Sequence, residues 1–266
     1  MTYSGLLMLT LVALSAYIMC YGWRKNLWSI PLCLLLIFTL VLTETRNAWA
    51  GAVTGILVVV SLRRPKSVLN LVVVVLVIYF LLPLDLKQRL QSGFDPQDPN
   101  TRNRIELFET SLRLIRDNPW VGVGPKNVKH EALKYRGSNE FPDWMYQHMH
   151  NNFLQIAAER GIPGLLIWVW FIGSLAWQAF RVFRSARGGT SSGPSNYCEV
   201  LFSSTAALGV WVALLVSGML QYNFGDSDLL TLFLFSMSAP CCFIKNRVLP
   251  SGSGARACIS ATGRPG

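Results

Sequence analysis

Charge is what this 266-residue chain has least of: 14% of its positions are charged, whereas 52% are hydrophobic. An ordinary soluble domain carries about 25% charged residues, so the balance excludes that class. A cleavable export signal is also lacking, because the apolar stretch from Gly5 to Gly22 is followed at once by a second apolar run. The six cysteines show no paired spacing of the kind that builds a zinc site. Cys20, Cys33, Cys241 and Cys242 fall inside apolar runs, Cys198 lies beside one and Cys258 sits in the tail; they read as small hydrophobes without a redox role. There is no Walker lysine loop, Rossmann glycine fingerprint, G-x-S-x-G elbow or cysteine nucleophile setting. Nucleotide-driven transport and covalent serine catalysis therefore lose support.

What the chain does have is long apolar runs, at 5–22, 27–43, 47–62, 67–84, 161–183, 199–220 and 229–244. A helix needs roughly 17 to 25 residues to cross a hydrocarbon core about 30 Å thick, so the fold class expected is an all-α polytopic membrane protein with about seven transmembrane helices. Charge orients them. Arg24 and Lys25, then Arg63, Arg64 and Lys66, then Arg181, Arg184 and Arg187, then Lys245 and Arg247 fall in alternate loops. The other short loops, TETRN and QYNFGDSD, hold only Arg46 between them. The positive-inside bias puts the basic set in the cytoplasm and the opposite loops outside. The net charge of +10 is thereby assigned to topology, and nucleic acid is not an expected partner.

The organisation expected is four transmembrane helices in 1–84, a large outer loop with helical parts in 85–160, three transmembrane helices in 161–244 and a disordered tail in 245–266, where SGSGARACISATGRPG has no apolar periodicity. This orientation sets the N-terminus outside, an unusual start for a chain without a translocation signal, and an N-terminal truncation is expected.

The outer loop is the soluble-like portion, and loops of this length carry function or disorder. From Asn103 to Asp117, NRIELFETSLRLIRD begins with Asn three residues before Glu106, a capping-box pattern, and stops before Pro119. At about 100° per residue, Arg102, Glu106, Glu109, Arg113 and Arg116 share one face while Ile105, Phe108, Leu112 and Ile115 share another. The helix is expected to lie on the membrane or on the bundle.

Arg104 breaks that pattern by projecting away from the charged stripe. A guanidinium facing inward needs an anion or carbonyls, although a first-turn arginine also bends back to water or to a nearby carboxylate. Arg46 stands alone in TLVLTETRNAWAG. An intramembrane arginine points to a functional site, and snorkelling to headgroups beside Trp49 is the competing account. His148 and His150 are spaced as in some metal sites and His130 offers a third imidazole, but no H-E-x-x-H accompanies them. A single histidine acting as a general base is more economical, and a loop histidine with ordinary hydrogen bonds is the plain alternative. Asp226 and Asp228 form an Asp-x-Asp that either holds a divalent cation with a diphosphate or is simply solvated.

Several segments together resemble the outer-loop signature of the O-antigen ligase and O-antigen polymerase superfamily. They are R-x-x-x-F at Arg104 to Phe108, RDNPWVGVGPKNV at 116–128, HNNFL at 150–154 and ERGIPGL at 159–165. TETRNAW at 43–49 is similar to the family's Thr-x-Ser-Arg-x-x-Trp segment, with Thr45 where serine is common, and Phe108 replaces a common tryptophan. The resemblance covers about residues 30 to 240. Members usually have more spans than this chain, so several N-terminal helices are expected to be missing.

The resemblance implies a glycosyltransferase of the bacterial inner membrane, with its active site facing the periplasm. It would move a glycan from an undecaprenyl-diphosphate carrier to a lipid A core acceptor, or to a growing glycan in the polymerase reading, or to protein in the O-oligosaccharyltransferase reading. Its expected partners are that lipid-linked glycan, the acceptor and membrane lipids. In this reading Arg46 and Arg104 hold the lipid diphosphate, His150 is the catalytic base, Asn151 orients the ring or the sugar, a role open to Asn152 as well, and no metal or other cofactor takes part. A membrane transporter is the alternative of another class. Against it, the spans 27–43 and 67–84 are almost uniformly apolar, whereas transporters break their helices near the midplane.

Overall fold

The computed structural model describes residues 2–81, 84–91, 95, 97–137, 142–188 and 197–248. Among them every regular element is helical and no strand occurs. The apolar segments become α1 (Thr2–Tyr21), α2 (Ser29–Leu42), α3 (Arg46–Arg63) and α4 (Val68–Leu81). After the outer loop, with α5 (Leu84–Gln91), α6 (Pro99–Asp117) and α7 (Val128–Glu131), come α8 (Asn152–Arg187), α9 (Tyr197–Leu220) and α10 (Ser227–Val248). Three of these, α1, α8 and α9, are both long and apolar enough to cross a membrane, and shorter apolar helices run over Ser29–Leu42, Pro65–Leu81 and Ser227–Cys242. The part of the expected disordered tail beyond residue 248 lies outside the described residues.

Helix α9 is the centre of the bundle, with α1, α3, α8 and α10 packed around it. Small residues let the backbones approach, since a membrane interior offers little hydrophobic drive between helices and close van der Waals contact must replace it. Gly51 and Gly55 lie one turn apart on α3 and face Gly209 and Ala213 of α9. A Cβ on Gly51 would stand 2.8 Å from the Ala213 carbonyl oxygen, and one on Gly55 would stand 2.9 Å from that of Gly209. Val12 of α1 fills the remaining space beside Gly55 and Gly209. By contrast α2 and α4 present large exposed side chains, among them Leu34, Phe38, Val73 and Leu76, an apolar surface suited to lipid.

The outer loop has a core of its own, in which Leu107 and Leu114 of α6 pack with Val128, Ala132, Met145, Tyr146, Met149 and Ala158. Helix α6 starts a turn earlier than the capping box at Asn103 predicts. Asp98 accepts from Thr101 N–H and Pro99 occupies the first helical position, where its missing donor costs nothing. The buried face also differs from the expected one. Leu107, Thr110, Ser111 and Leu114 face inward, whereas Ile105, Phe108 and Leu112 are about half exposed. Glu106, expected in the solvated stripe, is buried: its Oε1 accepts from Gly137 N–H at 2.6 Å, Thr110 Oγ1 at 3.1 Å and Tyr146 Oη at 3.2 Å. These donors offset the loss of water around the carboxylate. Burial first, and then Glu106, push the Tyr146 hydroxyl up to about 12, so it stays a donor.

Candidate active site

The loop and the bundle are joined at a kink in α8. Gly161 has φ 71° and ψ −179°, and Pro163 has no N–H to give to Glu159, its partner four residues earlier. Both freed carbonyls are taken by the preceding motif: Val123 N–H donates to Ala158 O at 2.9 Å and Gly124 N–H to Glu159 O at 3.0 Å. Ile162 N–H turns instead to Pro119 O at 2.7 Å. Thus NPWVGVG and ERGIPG are two halves of one hydrogen-bonded clasp. It needs glycine at Gly161, because a side chain there would run into the Trp120 backbone and the left-handed φ disfavours any Cβ.

Below the clasp, Glu159 is a buried carboxylate whose Oε1 accepts from Gln155 Nε2 at 2.8 Å and Lys126 N–H at 3.1 Å. Gln155 Oε1 in turn accepts from Met149 N–H at 2.8 Å. The backbone entering His150 is therefore tied to α8 through two side chains. His150 has φ 47°, a left-handed conformation that costs a non-glycine residue about 1–3 kcal/mol and tends to persist at functional sites.

His150 Nδ1 lies 2.7 Å from Gln221 Oε1, in the turn after α9. An amide oxygen only accepts, so Nδ1 carries the proton and Nε2 is left with its lone pair. Burial lowers the His150 pKa, Arg104 lowers it further, and the Gln221 hydrogen bond acts in the opposite direction. His148 packs its ring 4.2 Å from that of His150, and burial first, then His150, pull it down to about 4. Both imidazoles are neutral at pH 7.

Arg104 is half-buried, and its neighbours explain its electrostatics: burial and then the like charge of Arg46 lower its pKa, while Asp98 opposes them. The first residue of α3, the first half of α6 and the turn before α8 thus bring Arg46, Arg104 and His150 into one electrostatic neighbourhood. Two guanidiniums close together repel, and a polyanion between them relieves that repulsion through bidentate hydrogen bonds.

Asn151 is the N-cap of α8. Its Oδ1 accepts from Phe153 N–H at 2.8 Å and Leu154 N–H at 3.1 Å, and its Nδ2 donates to Met219 O at 3.0 Å. Asn152 is wholly buried and bridges to Asn223: its Nδ2 donates to Asn223 Oδ1 at 2.7 Å while its Oδ1 accepts from Asn223 N–H at 3.0 Å. Asn223 also donates to Ser217 Oγ at 2.8 Å. Gln221 and Asn223, neither of them singled out from the sequence, fix the start of α8 to the end of α9. In the Asp-x-Asp, Asp226 caps α10 by accepting from Asp228 N–H at 3.2 Å. Among the described residues no three His, Cys, Asp or Glu side chains come together as a metal site.

These features define a membrane protein, helical in every regular element of its described residues, in which Arg104 is electrostatically coupled both to Arg46 and to the His150 imidazole. The chain belongs to the O-antigen ligase family, whose match spans residues 31–169. It is also similar, at 24% identity over 177 residues, to a Rickettsia typhi protein named "Putative polysaccharide ligase". A Rickettsia conorii protein of the same description matches at 24% over 182 residues. Each alignment covers 62% of this chain, which spans only 43% of the length of either relative.

Proposed function

We propose that the protein is a glycosyltransferase that moves a glycan from undecaprenyl diphosphate to a lipid A core acceptor at the periplasmic face of the bacterial inner membrane. The observation that carries this reading is the electrostatic coupling of Arg104 to both Arg46 and His150, together with the Gln221 hydrogen bond that occupies Nδ1 and leaves Nε2 as the basic nitrogen. Residues 1–84 and 161–244 would supply seven spans, with 85–160 outside; the grouping of the ends that adjoin the basic loops supports this, as Cys20 of α1, Leu62 of α3, Val182 of α8 and Val200 of α9 share one cluster.

His150 removes the proton of the acceptor hydroxyl as that oxygen attacks the anomeric carbon. The bond to the carrier breaks and leaves a lipid diphosphate, whose charge the Arg46 and Arg104 guanidiniums stabilise from fixed positions. Asn151, the cap of α8, holds the backbone beside His150 and from there orients the ring or the sugar. Energy comes from the diphosphate linkage, so neither ATP nor a metal is required.

Polymerisation of repeat units and transfer to protein use the same chemistry with a different acceptor hydroxyl. The test is transfer by the purified protein from an undecaprenyl-diphosphate-linked glycan, in EDTA and without ATP, offered lipid A core, free glycan and a hydroxylated peptide in parallel. Product on lipid A core supports ligation, product on either other acceptor reassigns the acceptor class, and a requirement for metal contradicts the mechanism.

A further inference from the structure

A cavity of about 990 Å³ lies beside His148, which precedes α8, and is bounded by α7, α8 and the turn before α10. Its walls change character along the bundle. Ile167, Trp168, Phe171 and Leu230 line the part level with the apolar helices, whereas Lys126, Lys129 and Arg160 line the part beside the outer loop. All three cations are exposed, and the buried Glu159 at the junction already has its carboxylate engaged by Gln155 and Lys126 N–H. An apolar trough ending in a basic rim matches one kind of ligand in shape and charge: a lipid with a hydrocarbon chain and a phosphorylated headgroup. His148, in ring contact with His150, also lines the cavity, so a headgroup seated there lies next to the imidazole.

We infer that this groove is a second lipid site, distinct from the Arg46 and Arg104 pair, which seats the phosphate of a phosphorylated lipid on Lys126, Lys129 and Arg160 and its chain against Trp168 and Phe171. The inference deepens the two-substrate reading above and rests on its membrane orientation. It assigns the two guanidiniums to the carrier and the three-cation rim to the lipid that arrives from the other side of His150.

The test is native mass spectrometry of the full chain in detergent, titrated with dioleoyl phosphatidic acid, with dioleoyl phosphatidylcholine as the chain-matched control and with undecaprenyl diphosphate. Lys126→Gln, Lys129→Gln and Arg160→Gln, combined, replace exposed side chains and leave the packed core intact. Their expected effect is on the order of a tenfold or greater loss of phosphatidic acid binding, with phosphatidylcholine and undecaprenyl diphosphate unchanged. Arg104→Gln is expected to do the reverse. Equal binding of the two dioleoyl lipids, or loss of phosphatidic acid in Arg104→Gln but not in the rim variant, overturns the second site. Failure of undecaprenyl diphosphate to depend on Arg104 instead contradicts the catalytic reading and leaves the groove standing.

Discussion

His150 and Gln221 lie 71 residues apart in sequence and 2.7 Å apart in space, and that hydrogen bond fixes which imidazole nitrogen is free. A base is useful only if its lone pair points at the acceptor in the protonation state present at working pH. Gln221 sets the tautomer, and burial, with Arg104 adding to it, lowers the proton affinity.

The pH dependence follows in sign. Because burial and Arg104 lower the His150 pKa, the acid limb of transfer should fall below 6.5, the ordinary value. Arg104→Gln should shift that limb upward while slowing the reaction. Gln221→Ala, which removes the bond favouring protonation, should shift it downward and lower the rate by about tenfold to a hundredfold through loss of the tautomer. Rate against pH for the three proteins checks this. Stability has the same sign: both histidines bind protons more weakly when folded, so their contribution is complete above about 6.5 and is lost as pH falls below it, in the case of His148 down to about 4.

His150 also carries backbone strain. At φ 47° a glycine is at ease and an alanine is not. His150→Gly should therefore be about 1 kcal/mol more stable than His150→Ala, although both lose transfer. Thermal unfolding in detergent measures the difference, and equal midpoints would remove strain from the account.

Arg104→Lys should impair transfer far more than Arg102→Lys. Arg102 is exposed, whereas Arg104 is half-buried beside Arg46, and lysine keeps the charge but loses the planar fork. The expected loss is about tenfold to a hundredfold, carried by carrier binding and by rate together. Equal effects would contradict the clamp.

The clasp predicts a cost without any change in charge. Gly161→Ala places a Cβ against the Trp120 backbone at a left-handed φ, so a loss of roughly 2–4 kcal/mol is expected. Proteolysis near Trp120 should rise with it, because Val123 and Gly124 lose their acceptors.

Much of the helical layout is legible in the sequence, because a hydrophobic run reports its own length. The charge pattern leads one to expect Arg46 and Arg104 on the same side of a membrane, and in the fold the two are electrostatic neighbours. What periodicity does not reveal is which face of an amphipathic helix is covered. In α6 the loop core selects Leu107 and Leu114 and takes Glu106 inside with them, leaving Phe108 exposed, because Tyr146 and Gly137 arrive from far along the chain to satisfy the carboxylate. The role of Gln221 is not legible in the sequence for a similar reason. In QYNFGDSD the acids draw attention, yet Asp226 is a helix cap and the neutral amides hold the imidazole and Asn152.

The most direct test separates binding from chemistry at His150. Purified wild-type, His150→Ala and Arg104→Gln proteins should be compared for undecaprenyl diphosphate binding and for glycan transfer from the same carrier. His150→Ala is expected to bind the carrier like the wild type and to transfer nothing, while Arg104→Gln is expected to weaken both binding and transfer. Transfer retained in His150→Ala would contradict the assignment of the base.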